Sequence, residues 1–254
     1  MEANIYEYGQ KGFDLPHDLV QLPSGGVFYK SKKKVIKVGY LTANDENLLV
    51  NVLRKNNTNI ILNLLRTKIY EPDLKVEELI ESDVEAILLF LRNTSFGTDY
   101  NIKATDPQTN EEFTTIVSLE EMNFKKTKEK PNENGYFQVV LPKSGFTAKI
   151  KPLSYSDTIE LDSFTEKYPK ERIAPIVTWR LNKHIIELNG SDDKTKIVSM
   201  IDNLPIGDSK FLRNYLKENT PSLDFKKTVK APSGELVTVD VAFGVEFFRP
   251  FFEL

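Results

Sequence analysis

The sequence predicts an α+β protein built as a tandem duplication of a unit made of a β-hairpin, helices and a second β-hairpin. Three observations carry that reading. Stretches with strand alternation and stretches with helical spacing are segregated along the chain, which favours antiparallel pairing over β-α-β units. Residues 125–135, "KKTKEKPNENG", are charged, carry Pro and Gly and lack apolar periodicity, as a boundary does. The pattern before that stretch starts again after it. The expected organisation is an N-terminal arm over 1–20, a first repeat unit over 21–124, a linker over 125–138, and a second unit over 139–254 ending in a Phe-rich tail.

Residues 1–20 have no clear period but carry Tyr6, Tyr8 and Phe13, which suits an extended lead-in. Pro23 and the pair Gly25-Gly26 mark a turn. "GVFY" and "KVIKVGYL" then read as short strands around a lysine-tipped turn. Thr42, with Asp45 three residues on, reads as a capping pair, and Leu48, Leu49, Val52 and Leu53 share one helical face. A second helix is expected over roughly Ile60–Lys68. Ser82 and Glu85 read as the capping pair of a third helix, which ends at Gly97. Strand alternation on both sides of "DPQTN" predicts a hairpin.

After the linker the same signals return. Leu22-Pro23-Ser24-Gly25 is matched by Leu141-Pro142 with Ser144-Gly145, and Leu41-Thr42 with Asp45 by Leu153-Ser154 with Asp157. Asp83 to Pro107 runs in register with Asp208 to Pro232 without a gap, so "ATDPQTNEEFTTIVSL" and "VKAPSGELVTVDVAF" read as one hairpin used twice. Residues of about 20–124 and 139–248 are therefore expected to share a topology.

Composition narrows the function classes. A net charge of −3 gives no electrostatic footprint for nucleic acid or an anionic membrane. Lys32, Lys33 and Lys34 fit a solvated turn. With no cysteine, disulfides, thiol nucleophiles and Cys-type zinc sites are all excluded. The first residues lack the basic-then-apolar pattern of a signal peptide, and no apolar run reaches membrane-spanning length.

No catalytic constellation emerges. There is no Walker-type phosphate loop, and "APSGE" lacks the flanking glycines of a nucleophile elbow. His17, in the lead-in, and His184, in "RLNKHIIEL", read as ordinary satisfied side chains. Glu77, Glu78, Glu81, Asp83 and Glu85 suit the positive end of a helix dipole. A hydrolase would need two of its carboxyls about 5–10 Å apart in a cleft, which makes a carboxylate-based hydrolase the lower alternative. No catalytic residue, cofactor or metal site is assigned.

"LPSGGVFY", "YLTANDENLL", "DSKFLRNYLKENTPSLDF" and "VDVAFGVEFFRP" resemble, in that order, segments of the T4-like phage baseplate hub and hub-assembly proteins. These stretches span most of residues 20–100 and 140–254. Similar proteins often carry Cys-x-x-Cys at the turns of the hairpins. The matching turns here keep Pro107 and Pro232 and have no cysteine, so Asn110, Gly234 and packing must hold them. The resemblance implies a non-enzymatic structural component of a contractile-tail baseplate, in its hub or inner part, located in the virion and built in the host cytoplasm. Its partners would be other phage tail and baseplate proteins, without nucleic acid or membrane, and the assembly would set its oligomeric state. The alternative is an assembly factor for the hub that is absent from the mature virion.

The chain ends in "VAFGVEFFRPFFEL", five phenylalanines in fourteen residues. Phe247 and Phe248 would end the second hairpin, with one packing on its own unit. Pro250 stops the ladder. Phe251 and Phe252 are expected to dock on a neighbouring subunit, with Arg249 pairing a carboxylate there, the alternative being that they fold back on the protein's own core. The candidate partner-binding residues are therefore Tyr6, Tyr8, Phe13, Phe247, Phe248, Arg249, Phe251 and Phe252.

Overall fold

The computed structural model describes residues 16–53, 60–120, 122–125 and 127–241. It is an α+β mixture of helices and small antiparallel sheets. The chain opens with β1 (His17–Gln21) paired to β2 (Val35–Gly39), with Val20 opposite Ile36. Those two side chains face the core while Leu19 is 68% exposed, the alternation of a sheet covered on one side. The first strand is thus "HDLVQ", inside the stretch expected as an arm, and not "GVFY". Residues 22–34 instead form a looped excursion, closed at its base by the Leu22 N–H donating to the Lys34 carbonyl at 2.8 Å. Gly26 allows the loop's tight path: its φ is +72°, and a Cβ there would meet the Lys33 carbonyl oxygen at 2.0 Å.

The loop's purpose is visible at Asp83. The Ser24 N–H, the Ser24 hydroxyl and the Tyr29 hydroxyl all donate to the Asp83 carboxylate, and the Tyr29 oxygen accepts from the Ile80 N–H at 3.0 Å. All of these side chains are buried. An unmet buried donor costs about 1–3 kcal/mol, so this network decides where "GVFY" goes in preference to a strand ladder.

Three helices follow. In α1 (Ala43–Leu53) the expected cap forms: the Thr42 N–H and hydroxyl donate to Asp45 at 2.7 Å. In α2 (Ile60–Lys68), Ile61, Leu62, Leu64 and Leu65 are buried, and Lys68 closes a buried ion pair with Asp45. After a 3-10 turn (Val76–Glu78) comes α3 (Glu81–Phe96). Ser82 does not cap it. The N-cap is Ile80 with no side-chain bond, and the Ser82 hydroxyl is buried without a hydrogen-bond partner. Ile80 is fixed in extended form by Tyr29 and by a bridge to Ser154, so the helix starts one residue before Ser82. Gly97, at φ +80°, ends it as expected.

The hairpin β3 (Asp99–Thr105) and β4 (Glu112–Ser118) turns through Asn110 at φ 59°. A short β5 (Phe124–Lys125) then leads to the second half, which the chain enters at Gly135. With φ +78°, that glycine lies so close to the first half that a Cβ would come 2.6 Å from the Val27 carbonyl oxygen.

The second half runs β6 (Phe137–Val140), β7 (Thr147–Ile150), α4 (Tyr155–Lys167), α5 (Ile176–His184), β8 (Ile185–Leu188), α6 (Lys194–Asp202), α7 (Ile206–Asn219), β9 (Ser222–Leu223), β10 (Lys226–Lys230) and β11 (Leu236–Asp240). Strands β6, β7 and β8 form one sheet in that order, β10 pairs with β11, and β9 pairs with β5. Both halves therefore open on a hairpin and close on one, with helices between. Where the second half has β8 against β7, the described residues of the first have a single bridge, Val38 to Ile69.

Two apolar cores result. The second gathers Phe137, Ile150, Leu181, Ile185, Ile197, Leu212 and their neighbours. The first core is not confined to the first half: Leu223, Val229, Val239 and Val241 join it, and Tyr155 and Ile159 pack against it. Phe28 touches both cores, with its ring centroid 6.0 Å from that of Phe137. The last hairpin also meets the first at the turn, where the Ser233 hydroxyl and N–H donate to Asp106 at 2.8 and 2.9 Å.

Candidate partner interface

The eight residues singled out from sequence, Tyr6, Tyr8, Phe13, Phe247, Phe248, Arg249, Phe251 and Phe252, lie outside the described residues. Among the described residues, the polar groups that sequence reasoning weighed are engaged in holding the backbone. His184 Nδ1 lies 2.9 Å from the Lys151 carbonyl, and burial, with Arg180 nearby, holds its pKa below the usual imidazole range. His17 meets Tyr70 edge to face at 5.9 Å between centroids. Asp157 caps α4 with Ser154 and pairs with Lys183 at 3.1 Å.

Among the described residues, one groove lies between α4 and α5, lined by Leu161, Asp162, Thr165, Glu166, Ile176 and Arg180. The first turns of α3 carry Glu81 and Glu85. Glu81 interacts with Arg180 and Asp162, and Tyr155 is surrounded by Glu81, Asp162 and Glu85. Glu85 accepts a hydrogen bond from the Leu223 backbone. Burial first, and the charge of Glu81 second, push the Glu85 pKa up to about 7. Burial and then the same carboxylates raise Tyr155 to about 12. A carboxyl so placed favours a cation that shares its site.

The helices beside the groove are lightly packed. In α4 only Leu161 is buried, and in α5 only Leu181, against Val84, Ala86, Ile87, Leu88 and Leu91 among the buried side chains of α3. Ile173, in the loop between α4 and α5, is 95% exposed, and Val177 is 44% exposed. Sequence reasoning saw Glu81 and Glu85 only as dipole partners and missed Asp162, Glu166 and Arg180. The legible signal was "SDTIELDSFTEK", a helix whose carboxylates outnumber its large apolar side chains.

A family model described as "T4 bacteriophage base plate protein" matches residues 23–249. No curated protein and no solved structure matches the chain.

Proposed function

The chain belongs to the T4 bacteriophage base plate protein family, and on that premise we propose that it is a non-enzymatic structural subunit of the hub or inner baseplate of a contractile tail. It acts through contacts with other tail proteins, joins them in the host cytoplasm and stays in the virion. The observation that supports this best is the contrast between committed polar groups and exposed apolar side chains. Asp45, Asp83, Asp106, Asp157 and Asp208 each accept hydrogen bonds that fix a turn or a helix start, while Ile173 before α5 and Val177 within it are exposed. Such a division suits a scaffold.

The anchors in this reading are Tyr6, Tyr8 and Phe13 in the arm and Phe251 and Phe252 past Pro250 in the tail. The halves are two copies of one unit joined over 125–138. Support for that comes from two constructions found in both. Asp208 accepts from the Lys143 and Ser144 N–H groups at 2.7 and 2.8 Å, as Asp83 accepts from Ser24. Asp157 pairs with Lys183 in the last turn of α5, as Asp45 pairs with Lys68 in the last turn of α2.

The test is the double variant Phe251→Ser with Phe252→Ser. Its melting temperature should equal that of the parent, and it should fail to enter the baseplate intermediate. Normal incorporation would remove the tail from the anchor set, and a fall in melting temperature of several degrees would assign it to the protein's own core.

A further inference from the structure

Each half carries the same two constructions at matching places. One is a capped helix start after the first hairpin: Thr42 with Asp45 on α1, and Ser154 with Asp157 on α4. The other is an extended residue that begins the long helix before the last hairpin: Ile80 ahead of α3 and Pro205 ahead of α7. Counting back from the matched Asp83 and Asp208, Leu79 corresponds to Leu204, Ile80 to Pro205 and Glu81 to Ile206.

Within the chain, the α4 start of the second half is seated on the α3 start of the first. Ser154 forms an antiparallel bridge with Ile80, the Tyr155 N–H donates to the Leu79 carbonyl at 2.7 Å, and the Ser156 hydroxyl donates to the Glu77 carbonyl at 2.7 Å. Leu79 and Ile80 are buried there. The other two counterparts are uncovered among the described residues. Thr42, Ala43 and Asn44 are exposed, as are Pro205 and Ile206, the last at 83%. Thr42 and Ala43 border a pocket of about 290 Å³ with Tyr40, Leu41, Leu49 and Phe96.

We propose that the uncovered counterparts meet between molecules: the α1 start of one copy seats on the α7 start of a second copy, with Ile206 entering the pocket beside Ala43. The inference rests on the reading of the halves as two copies of one unit, and its template is the contact inside the chain. The backbone part carries over. First-turn N–H groups of a helix lack intrahelical partners, so the Ala43 N–H donates to the Leu204 carbonyl as Tyr155 does to Leu79. The Asn44 amide takes the place of the Ser156 hydroxyl and donates to the Asp202 carbonyl. Inside the chain that hydrogen bond runs beside the bridged pair, so the missing N–H of Pro205 is no loss. Side-chain bulk is exchanged. Inside the chain a large Tyr155 stands near Glu81; between copies a small Ala43 faces a large Ile206. Charge also suits, because Glu46 lines the pocket and the Lys143 side chain passes over Gly207, next to Ile206. The contact is head-to-tail, using different surfaces on the two copies.

The chain has no cysteine, so disulfide trapping on the full-length protein tests it without background. Thr42→Cys and Pro205→Cys stand at the positions that match Ser154 and Ile80. Oxidised separately, each variant should stay monomeric, and mixed they should give a disulfide-linked dimer. Adding Ile206→Asp to the Pro205→Cys chain should lower the yield of that dimer about tenfold and leave the melting temperature unchanged, since only a contact between copies buries Ile206. No mixed dimer, or one that Ile206→Asp leaves at full yield, would overturn the contact. A chimera in which residues 202–206 take the sequence of 77–81, "EELIE", separates that failure from failure of the shared plan. Equivalent units predict a parental melting temperature for the chimera. A fall of several degrees would overturn the shared plan and the proposal with it, whereas parental melting without a mixed dimer would overturn the contact alone.

Discussion

Asp83 and Asp208 occupy matching places at the first turn of a long helix, and both are fully buried. Their electrostatic states are opposite. Burial dominates at Asp83 and raises its pKa against the pull of Ser24 and Tyr29. At Asp208 burial pushes the same way, but hydrogen bonds from Ser144 and from the Lys143 and Ser144 N–H groups outweigh it, and the pKa falls. Asp208 is held by backbone N–H groups of residues 143 and 144, whereas Asp83 is held largely by the hydroxyls of Ser24 and Tyr29. The ion pairs differ in the same way. Side chains of Lys68 and Asp45 are 7% and 5% exposed, those of Lys183 and Asp157 31% and 19%. One half uses its polar groups inside a sealed core. The other buries Asp208 as deeply but keeps the Lys183–Asp157 pair nearer to water. Similar local constructions therefore sit in different electrostatic surroundings in the two halves.

The ion pairs offer the largest way to break that comparison. Lys68→Ala leaves Asp45 buried without its cation and should cost about 3–5 kcal/mol in chemical denaturation. Lys183→Ala, at a partly exposed pair, should cost about 1 kcal/mol or less. Equal costs would mean the halves are sealed alike.

The aspartates come next. Asp83→Ala orphans three donors and should cost about 3 kcal/mol, with Asp208→Ala about 1–2 kcal/mol. Acidity sharpens the contrast. A carboxyl whose folded pKa is raised adds stability below its unfolded pKa that is lost as pH rises, and a depressed one adds stability above it that is lost as pH falls. The cost of Asp83→Asn should therefore be greater at about pH 4 than at about pH 8, and that of Asp208→Asn greater at about pH 7 than at about pH 3. Parallel pH profiles for the two variants would contradict the assignment.

The smallest effect concerns caps. Ser154 accepts from the Asp157 N–H at 3.1 Å in a complete capping box, so Ser154→Ala should cost about 1 kcal/mol. Ser82→Ala should cost close to nothing, because that hydroxyl bonds to nothing in the fold. The same loss at both serines would restore Ser82 as a cap.

Much of the fold was legible because local chemistry set it. The Thr42–Asp45 box, the helix end at Gly97, and the hairpin turns at Asn110 and Gly234, both with positive φ, follow from residues adjacent in sequence. The misreadings at "GVFY" and Ser82 share a cause. Each was decided by a partner far along the chain: Tyr29 by Asp83 and Ile80, Ile80 by Ser154. The groove was illegible for the same reason, since Glu81, Asp162 and Arg180 meet only when α3, α4 and α5 pack. The role of the last hairpin in the first core was likewise hidden, because hydrophobic alternation in β11 says that Val239 is buried and not against what.

The central functional claim is that this protein is a permanent part of the baseplate. Quantitative mass spectrometry of purified tails against infected-cell lysate tests it directly. A fixed, whole-number copy count per tail, retained through purification, is the predicted result. Abundance in the lysate with none in purified tails would contradict it and identify the protein as an assembly factor that leaves.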